Sequence, residues 1–175
     1  MHKHRWVPSF LRFGLVLCLL AMSSCGFQLR GVNDIAFKSL YLQGQNVSIA
    51  RDLKRSLLSN GVALVPTPEQ ADLMLEILSE SAEKRILSLS GTGRVREFEL
   101  NYQVNFRIKD PSNELWGMPQ TISGRRDFTF DDSQLLAKQG EEARLNDDMR
   151  ADAVRELMHV LSVQRPKPRT KPPVE

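Results

Sequence analysis

The clearest periodicity in the chain runs from Glu97 to Lys109. Phe98, Leu100, Tyr102, Val104, Phe106 and Ile108 are apolar, and Glu97, Glu99, Asn101, Gln103, Asn105, Arg107 and Lys109 between and around them are polar. An unbroken period of two predicts a strand with one face on a core and the other in water. Upstream, Ala71 to Ser90 predicts a long strand in which Leu73, Leu75 and Ile77 alternate with Asp72, Met74 and Glu76. The alternation blurs from Ser79 to Lys84, where a bulge or an exposed stretch is expected, and Leu87 and Leu89 are expected to restore it. Ser90-Gly91-Thr92-Gly93 joins the two strands as a hairpin turn. After a turn at Asp110-Pro111-Ser112-Asn113, Gln120 to Phe130 predicts another strand with Ile122, Phe128 and Phe130 on one face.

Two segments carry helical spacing. Ile49, Leu53 and Leu57 form a narrow apolar stripe in a helix that Asn46 or Ser48 caps and Asn60-Gly61 stops, near Ser59. Leu145, Met149, Ala153, Leu157 and Leu161 recur every four residues, and Asp131, Asp132 and Ser133 offer caps for that long last helix. Gly140 costs its first turns about 1 kcal/mol relative to Ala, so a bend or frayed start is expected there. Phe37 to Leu42 reads as a short strand and Val62 to Val65 as a short extended piece. The order β-α-(β)-β-β-β-α has one apolar stripe per helix and one apolar face on the sheet. Burial of both predicts an α+β fold, an α/β sandwich: an about four-stranded, mainly antiparallel sheet with two helices on one face.

The N-terminus changes the picture of where this domain works. Lys3, Arg5 and Arg12 precede an apolar run of about ten residues, Phe13 to Met22, followed by small residues and Cys25. That run is half the roughly 20 residues of a membrane-spanning helix. Extending it backwards meets Arg12 and Pro8, so it fits a cleaved secretory signal. The context LLAMSSC resembles a lipobox, with Met22 where Leu is usual. Cleavage at residue 24 discards Cys18 and leaves one cysteine, whose lipidation accounts for an otherwise unpaired thiol in a secreted chain. Gly26, in place of the Asp that retains such lipoproteins in the inner membrane, permits transfer to the outer membrane. The expected organisation is therefore a signal peptide at 1–24, a lipidated connector at 25–36, a domain at 37–164 and a disordered tail at 165–175. That tail, RPKPRTKPPVE, holds four prolines and no core-forming residue. Removing Lys3, Arg5 and Arg12 from the 24 basic residues leaves 21 against 21 acidic ones, so nothing points to nucleic acid.

Catalytic or metal-binding chemistry finds little support. His159 is the one histidine left after the signal, so neither zinc-ligand spacing nor a Ser-His-Asp set assembles, and G-x-S-x-G is absent. Gly91-Thr92-Gly93 lacks the third glycine of a dinucleotide loop, since position 96 is Arg96, and a strand rather than a helix follows. Asp131-Asp132, Glu141-Glu142 and Asp147-Asp148 are adjacent and point about 100° apart on a helix, which suits caps and solvated faces. No catalytic residue, metal or cofactor is expected. Basic residues are more suggestive: Arg94 and Arg96 after the hairpin turn, Arg125 and Arg126 in the following strand, and Lys138 early in the last helix. Arginine matches phosphates and carboxylates bidentately, although solvated charge and edge protection account for the same residues.

Three stretches resemble a known family: CGFQLRG from Cys25, the hairpin ILSLSGTGRVREFELNYQVNF, and RRDFTFDDSQLLAKQGEEARLNDDMRADAVREL leading into the last helix. These are similar to the LPS-assembly lipoproteins of the LptE (RlpB) type. The resemblance implies an outer-membrane lipoprotein, anchored on the periplasmic side, that sits inside the lumen of the β-barrel translocon LptD as a heterodimer. It implies a plug that assists barrel assembly and the insertion of lipopolysaccharide into the outer leaflet. It implies contact with lipopolysaccharide phosphates through Lys138 of the LAK segment and basic residues near the hairpin tip, for which Arg94 and Arg96 are the nearest candidates. Two other functions stay open from the residues alone: a free-standing periplasmic lipid- or ligand-binding lipoprotein, and an envelope hydrolase.

Cleavage and lipidation carry their own test. Protein taken from its native membrane is expected to begin at Cys25, with a diacylglycerol on sulfur and an acyl chain on nitrogen, by intact mass. A bare thiol at position 25 would overturn this.

Overall fold

The computed structural model describes residues 35–44 and 47–167. The expected signal segment, Cys25, most of the connector, Asn46 and the tail beyond residue 167 lie outside them. Five strands form one sheet: β1 (Ser39–Gln43), β2 (Ala63–Leu64), β3 (Leu73–Leu89), β4 (Val95–Lys109) and β5 (Gln120–Thr129), in the order β2-β1-β3-β4-β5. Helices α1 (Ser48–Ser59) and α2 (Leu135–Ser162) complete the domain. The strand count exceeds the expected four because the Val62–Val65 piece pairs with β1 over two residues. Strand β1 is parallel to both neighbours, while β3, β4 and β5 form an antiparallel meander, so the sheet is mixed. The parallel β1–β2 pair is joined through α1, as a crossover connection requires.

Strand β4 realises its periodicity. Leu100, Tyr102, Val104, Phe106 and Ile108 are buried. They meet Ile49, Leu53 and Leu57 of α1 and Met149, Ala153, Leu157 and Leu161 of α2 in one core cluster, which puts both helices on the same side of the sheet. The opposite face is polar across three strands. Asn105 donates to Ser79 (2.8 Å) and accepts from Thr121 (2.6 Å), Ser88 donates to Glu97 (2.6 Å), and Arg107 pairs with Glu76.

The blurred part of β3 contains a β-bulge between Ile77 and Ser79 that leaves Leu78 out of register. Before it, Leu73, Leu75 and Ile77 face the helices; after it, even-numbered residues do, because Glu80 pairs with Val104 and Lys84 with Leu100. Gly44 sits against this bulge with φ +83°, and a Cβ there would lie 2.3 Å from the Ile77 carbonyl oxygen. No side chain fits that approach. A further correction concerns Leu87 and Leu89, which do not return to the core: they are 47% and 56% exposed. The pairing with β1 ends at Glu76, so the distal end of the β3–β4 hairpin projects past β1 and β2, and further register shifts follow Ile86.

The inversion brings a carboxylate to the start of α1. Val47 occupies the N-cap without a side-chain bond, so Ser48 is not the cap the sequence suggested. Instead Glu80 accepts from the Ser48 hydroxyl, from the Ile49 backbone N–H (3.2 Å) and from the Tyr102 hydroxyl (2.6 Å). It supplies the cap from a different element and places negative charge where the helix dipole favours it. Burial works to raise the Glu80 carboxyl, but the bonds from Ser48, Tyr102 and Ile49 outweigh it and hold the group below its ordinary value. At the other end of the core, Phe98 stacks on Phe128 (5.8 Å) and meets Phe130 edge-on (5.1 Å), with the Lys84 ammonium over its ring (4.8 Å).

Asp131 caps the turn before α2, accepting from the Ser133 backbone N–H (2.9 Å) and hydroxyl (2.7 Å). The expected bend at Gly140 is absent: α2 runs unbroken through it. Ion pairs from Lys138 to Glu141 and from Lys84 to Glu142 flank that position, and pairs of this kind offset part of the glycine cost.

Glu80→Ala is expected to cost about 2 kcal/mol at neutral pH, through loss of charge-assisted bonds. Because the folded-state pKa of Glu80 is lowered, its contribution is present above the unfolded value and fades as pH falls through the folded one. Thermal melts of both proteins from pH 7 to pH 3 are expected to show the gap narrowing below pH 4.5.

Candidate functional site

The chain enters the described domain at Ile35, beside the end of the sheet where Ser39 and Leu73 begin their strands. The hairpin turn after Leu89 lies at the other end. Strand β4 spans the interval with fifteen residues, about 50 Å at 3.3 Å each. The two ends differ chemically, and the five basic candidates distribute unequally between them and the middle of the sheet.

Arg94 and Arg96 are at the distal end. Both are exposed, and neither guanidinium has an ion-pair or hydrogen-bond partner among the described residues. The turn that carries them is fixed by backbone bonds between Ser90 and Arg94 (2.7 Å) and by the Ser90 hydroxyl on the Arg94 N–H (3.0 Å), with Gly93 at φ +78°. Arg96 is held opposite Phe130, whose N–H donates to its carbonyl (2.7 Å). Exposed Ile86, Leu87 and Leu89 of β3 and Leu135 and Leu136 of α2 are the aliphatic side chains of this end of the meander. Open clefts border both arginines: one holds Arg96 with Leu89, Thr129 and Phe130, the other Arg94 with Asp131 and Ser133.

Lys138 approaches the same end from α2. Its ammonium bonds Glu141 (2.8 Å) and the Thr129 hydroxyl (3.1 Å), and its side chain is 15% exposed. Its charge is partly compensated and its reach is short. Arg125 and Arg126 do not join this group. Arg125 lies mid-sheet on the polar face, 3.4 Å from Glu99. Arg126 lies on the helix side, where it binds Asp152 of α2 (2.6 Å). The structure therefore divides the five into a free pair at the tip, a tethered lysine beside it and two paired arginines elsewhere. Sequence reading missed the exposed aliphatic group; the signal was present in Leu87 and Leu89, which were assigned to the core instead.

The acidic pairs diverge as expected. Glu141 and Glu142 take different lysines, Asp147 pairs with Arg150, and His159 is exposed on α2. Among the described residues no group of three His, Cys, Asp or Glu side chains has metal-binding geometry. An open cleft of about 800 Å³ lies at the chain-entry end between the β4–β5 loop and Gln164–Pro166. There Trp116 stacks under Arg107 (4.7 Å), and Asp110 accepts from the Lys167 N–H (3.1 Å). It holds no catalytic arrangement, and the buried side-chain polar atoms of the described domain all have partners.

Comparison with known proteins gives a consistent answer. A family model described as "LptE: Lipopolysaccharide-assembly" matches residues 37–161. The "LPS-assembly lipoprotein LptE" of Photorhabdus laumondii is 26% identical over 165 residues, covering 90% of each chain. The protein of the same description from Yersinia enterocolitica is 27% identical, covering 85% of this chain and 73% of its own. Among solved structures, a lipoprotein B of Nitrosomonas europaea superposes with a TM-score of 0.68 at 40% identity, covering 78% of this chain and 90% of that one. The rare lipoprotein B of Shewanella oneidensis does so with a TM-score of 0.64 at 30% identity, covering 71% and 94%.

Proposed function

The chain belongs to the LptE family of lipopolysaccharide-assembly lipoproteins, and from that premise we propose that it is the plug subunit of an outer-membrane export pore. It sits in the lumen of the LptD β-barrel as a one-to-one heterodimer, held at the periplasmic mouth by acyl chains on Cys25. It assists folding of the barrel and contacts lipopolysaccharide on its way to the outer leaflet. No bond is made or broken in this role.

The observation that carries the reading is the asymmetry of the domain. The chain enters the described domain at one end of the sheet, the side on which the proposed anchor would lie in sequence, and two arginines without partners among the described residues stand about 50 Å away at the other. Exposed Ile86, Leu87 and Leu89 accompany them. Phosphorylated acyl sugar is complementary to such a surface, since guanidinium groups match phosphate and aliphatic side chains meet acyl chains. The rest of the surface suits a water-lined lumen. Barrel interiors are polar, and the wet sheet face offers Asn, Gln, Ser and Thr, with Glu99 set between Arg85 and Arg125. The anchor raises the local concentration of the plug at the barrel mouth without adding a contact.

Affinity purification of the tagged chain from outer membranes is expected to recover a β-barrel protein in about equal amount. Recovery of a lone monomer at native levels would favour the free-standing lipoprotein. For the ligand, Arg94→Glu with Arg96→Glu is expected to weaken lipopolysaccharide binding about tenfold, or ~1.4 kcal/mol. Lys138→Asp is expected to have a smaller effect and Arg125→Glu little, each with an unchanged melting temperature. Equal loss in all three would refute the tip as the contact.

A further inference from the structure

The sheet has two ends and two edges, and the edges are treated differently. One terminates in β2, which is two residues long. A strand that short offers almost nothing to pair with. The other is β5, ten residues long and bonded only to β4. Its pairing with β4 is regular over the whole length, and the Phe130 N–H to Arg96 carbonyl bond fixes the phase. In antiparallel pairing the bonded positions alternate. Even-numbered β5 residues therefore bond β4, and Thr121, Ser123, Arg125, Asp127 and Thr129 turn their backbone N–H and C=O groups away from the sheet. The Arg125 carbonyl takes a guanidinium N–H from Arg126 (2.9 Å), which closes the stretch on that side. Between Thr121 and the Arg125 N–H the outward backbone groups have no partner among the described residues.

A groove lies beside that stretch. Met149, Asp152, Ala153 and Glu156 recur at i, i+3, i+4 and i+7 on α2 and, with Thr121 to Gly124, line a cleft of about 350 Å³. Its floor is apolar and shallow: Gly124 has no side chain, Ala153 a short one, and Met149 packs over Gly124. Its rim is acidic. Asp152 is engaged by Arg126 and Arg155, whereas Glu156 has no ion-pair partner among the described residues. A free strand edge next to a helix-walled groove is the geometry in which an extended segment adds as a further strand: main-chain bonds hold it, and alternate side chains enter the groove.

We propose that β5 between Thr121 and Arg125 is a strand-addition site for an extended segment of the barrel partner, one carrying a lysine or arginine at the position that enters the groove. This rests on the plug reading above. The basic side chain lays its aliphatic stem on Met149, Gly124 and Ala153 and brings its charge to Glu156, as long basic side chains do on mixed surfaces. A closed barrel uses the edges of its own wall strands, so the segment is one that leaves the wall. The tail of this chain is a poor occupant, because Pro166, Pro168, Pro172 and Pro173 remove the donors that pairing needs. A second copy is also disfavoured, since pairing β5 with β5 about Ser123 sets two Asp152–Glu156 rims against each other. The distal part of β3 is the other unpaired edge, but its regular run from Ser79 to Ile86 is bounded by register shifts and carries Glu80, Glu83, Lys84 and Arg85, and charge on an edge disfavours strand addition.

Residue-resolved hydrogen exchange on the full chain, alone and co-purified with its barrel, tests this. The Thr121, Ser123 and Arg125 amides are expected to exchange at least about tenfold more slowly in the complex. Those of Ile122 and Gly124, already bonded to β4, are expected to be slow in both. Ser123→Pro removes an outward donor without touching the β4 ladder, and Glu156→Lys reverses the rim charge. Each is expected to lower barrel recovery at least about threefold, and Glu156→Lys without change in melting temperature, which covers a folding defect in the proline variant. A complex that forms with the odd-numbered amides unprotected, or with recovery unaffected by Glu156→Lys, overturns the inference and leaves the plug reading standing. Failure to recover any barrel overturns both. Concentration-dependent protection in the isolated chain assigns the edge to a second copy and overturns the inference alone.

Discussion

Everything in this domain is arranged around a strand long enough to outrun its own core. Thirteen of the fifteen residues of β4, Glu97 to Lys109, alternate strictly, so one face is apolar from Phe98 to Ile108, about 33 Å. Two helices of 12 and 28 residues share the task of covering it. The bulge at Leu78 sets what the neighbouring strand presents to them. Up to Ile77, β3 contributes leucines and isoleucine to the core; past the bulge the same face receives Glu80, Ala82, Lys84 and Ile86. A single extra residue converts the second half of β3 from core to frame. Glu80 then holds the start of α1, Lys84 holds Glu142 of α2, and the core closes on the Phe98, Phe128 and Phe130 cluster. Tyr102 links the halves: burial, then its bond to Glu80 and that group's charge, raises its phenol far above the ordinary value, so it remains a donor.

The legible parts of this structure are those in which local pattern and tertiary burial agree. Strand β4, the hairpin turn, the Leu57 and Leu157 stripes and the Asp131 cap follow from period, turn chemistry and capping. The bulge was legible as a break in alternation, but not its consequence. Which face the later residues adopt depends on the number of residues inserted, and polar residues there mask the phase. Leu87 and Leu89 mislead because apolar alternation does not say which face it lies on: Leu87 falls in the register shift after Ile86, and Leu89 pairs with Val95 on the polar face. Strand β2 is two residues long and exists only because β1 lies beside it. The cap of α1 comes from a residue 32 positions away in sequence, which local capping rules do not reach.

The basic candidates show the same division. Residue type identified five cations able to meet phosphate, and chain position could not separate them. Pairing does. Arg125 and Arg126 are consumed by Glu99 and Asp152 on opposite faces of β5, and Lys138 is drawn down onto Glu141 and Thr129. Arg94 and Arg96 are left: among the described residues no acidic side chain pairs with either guanidinium, although Asp131 borders the clefts of both. Local neutralisation elsewhere has a functional sense. On the plug reading, the ion pairs of Arg125, Arg126 and Lys138 soften the field of the polar surface, while the two guanidinium groups at the tip keep theirs.

On the plug reading proposed above, the protein has to stay monomeric until it meets its partner, and an open sheet works against that. Long flat edges invite pairing with any chain. Here one edge is reduced to two residues, and another is interrupted by register shifts. Strand β5 keeps regular pairing, yet Arg125, Arg126 and Asp127 crowd its middle, and Arg126 folds back onto a neighbouring carbonyl. Only the segment from Thr121 to Gly124, backed by the α2 groove, is left with small side chains and open backbone. Selective exposure of one short edge segment admits a strand that brings the right side chain and offers little to others, because four or five residues of backbone pairing alone bind weakly. The same economy governs the tip, where two arginines and a few leucines are exposed together while the remaining apolar face of the meander is covered. Specificity in this fold therefore comes from what has been left unpaired.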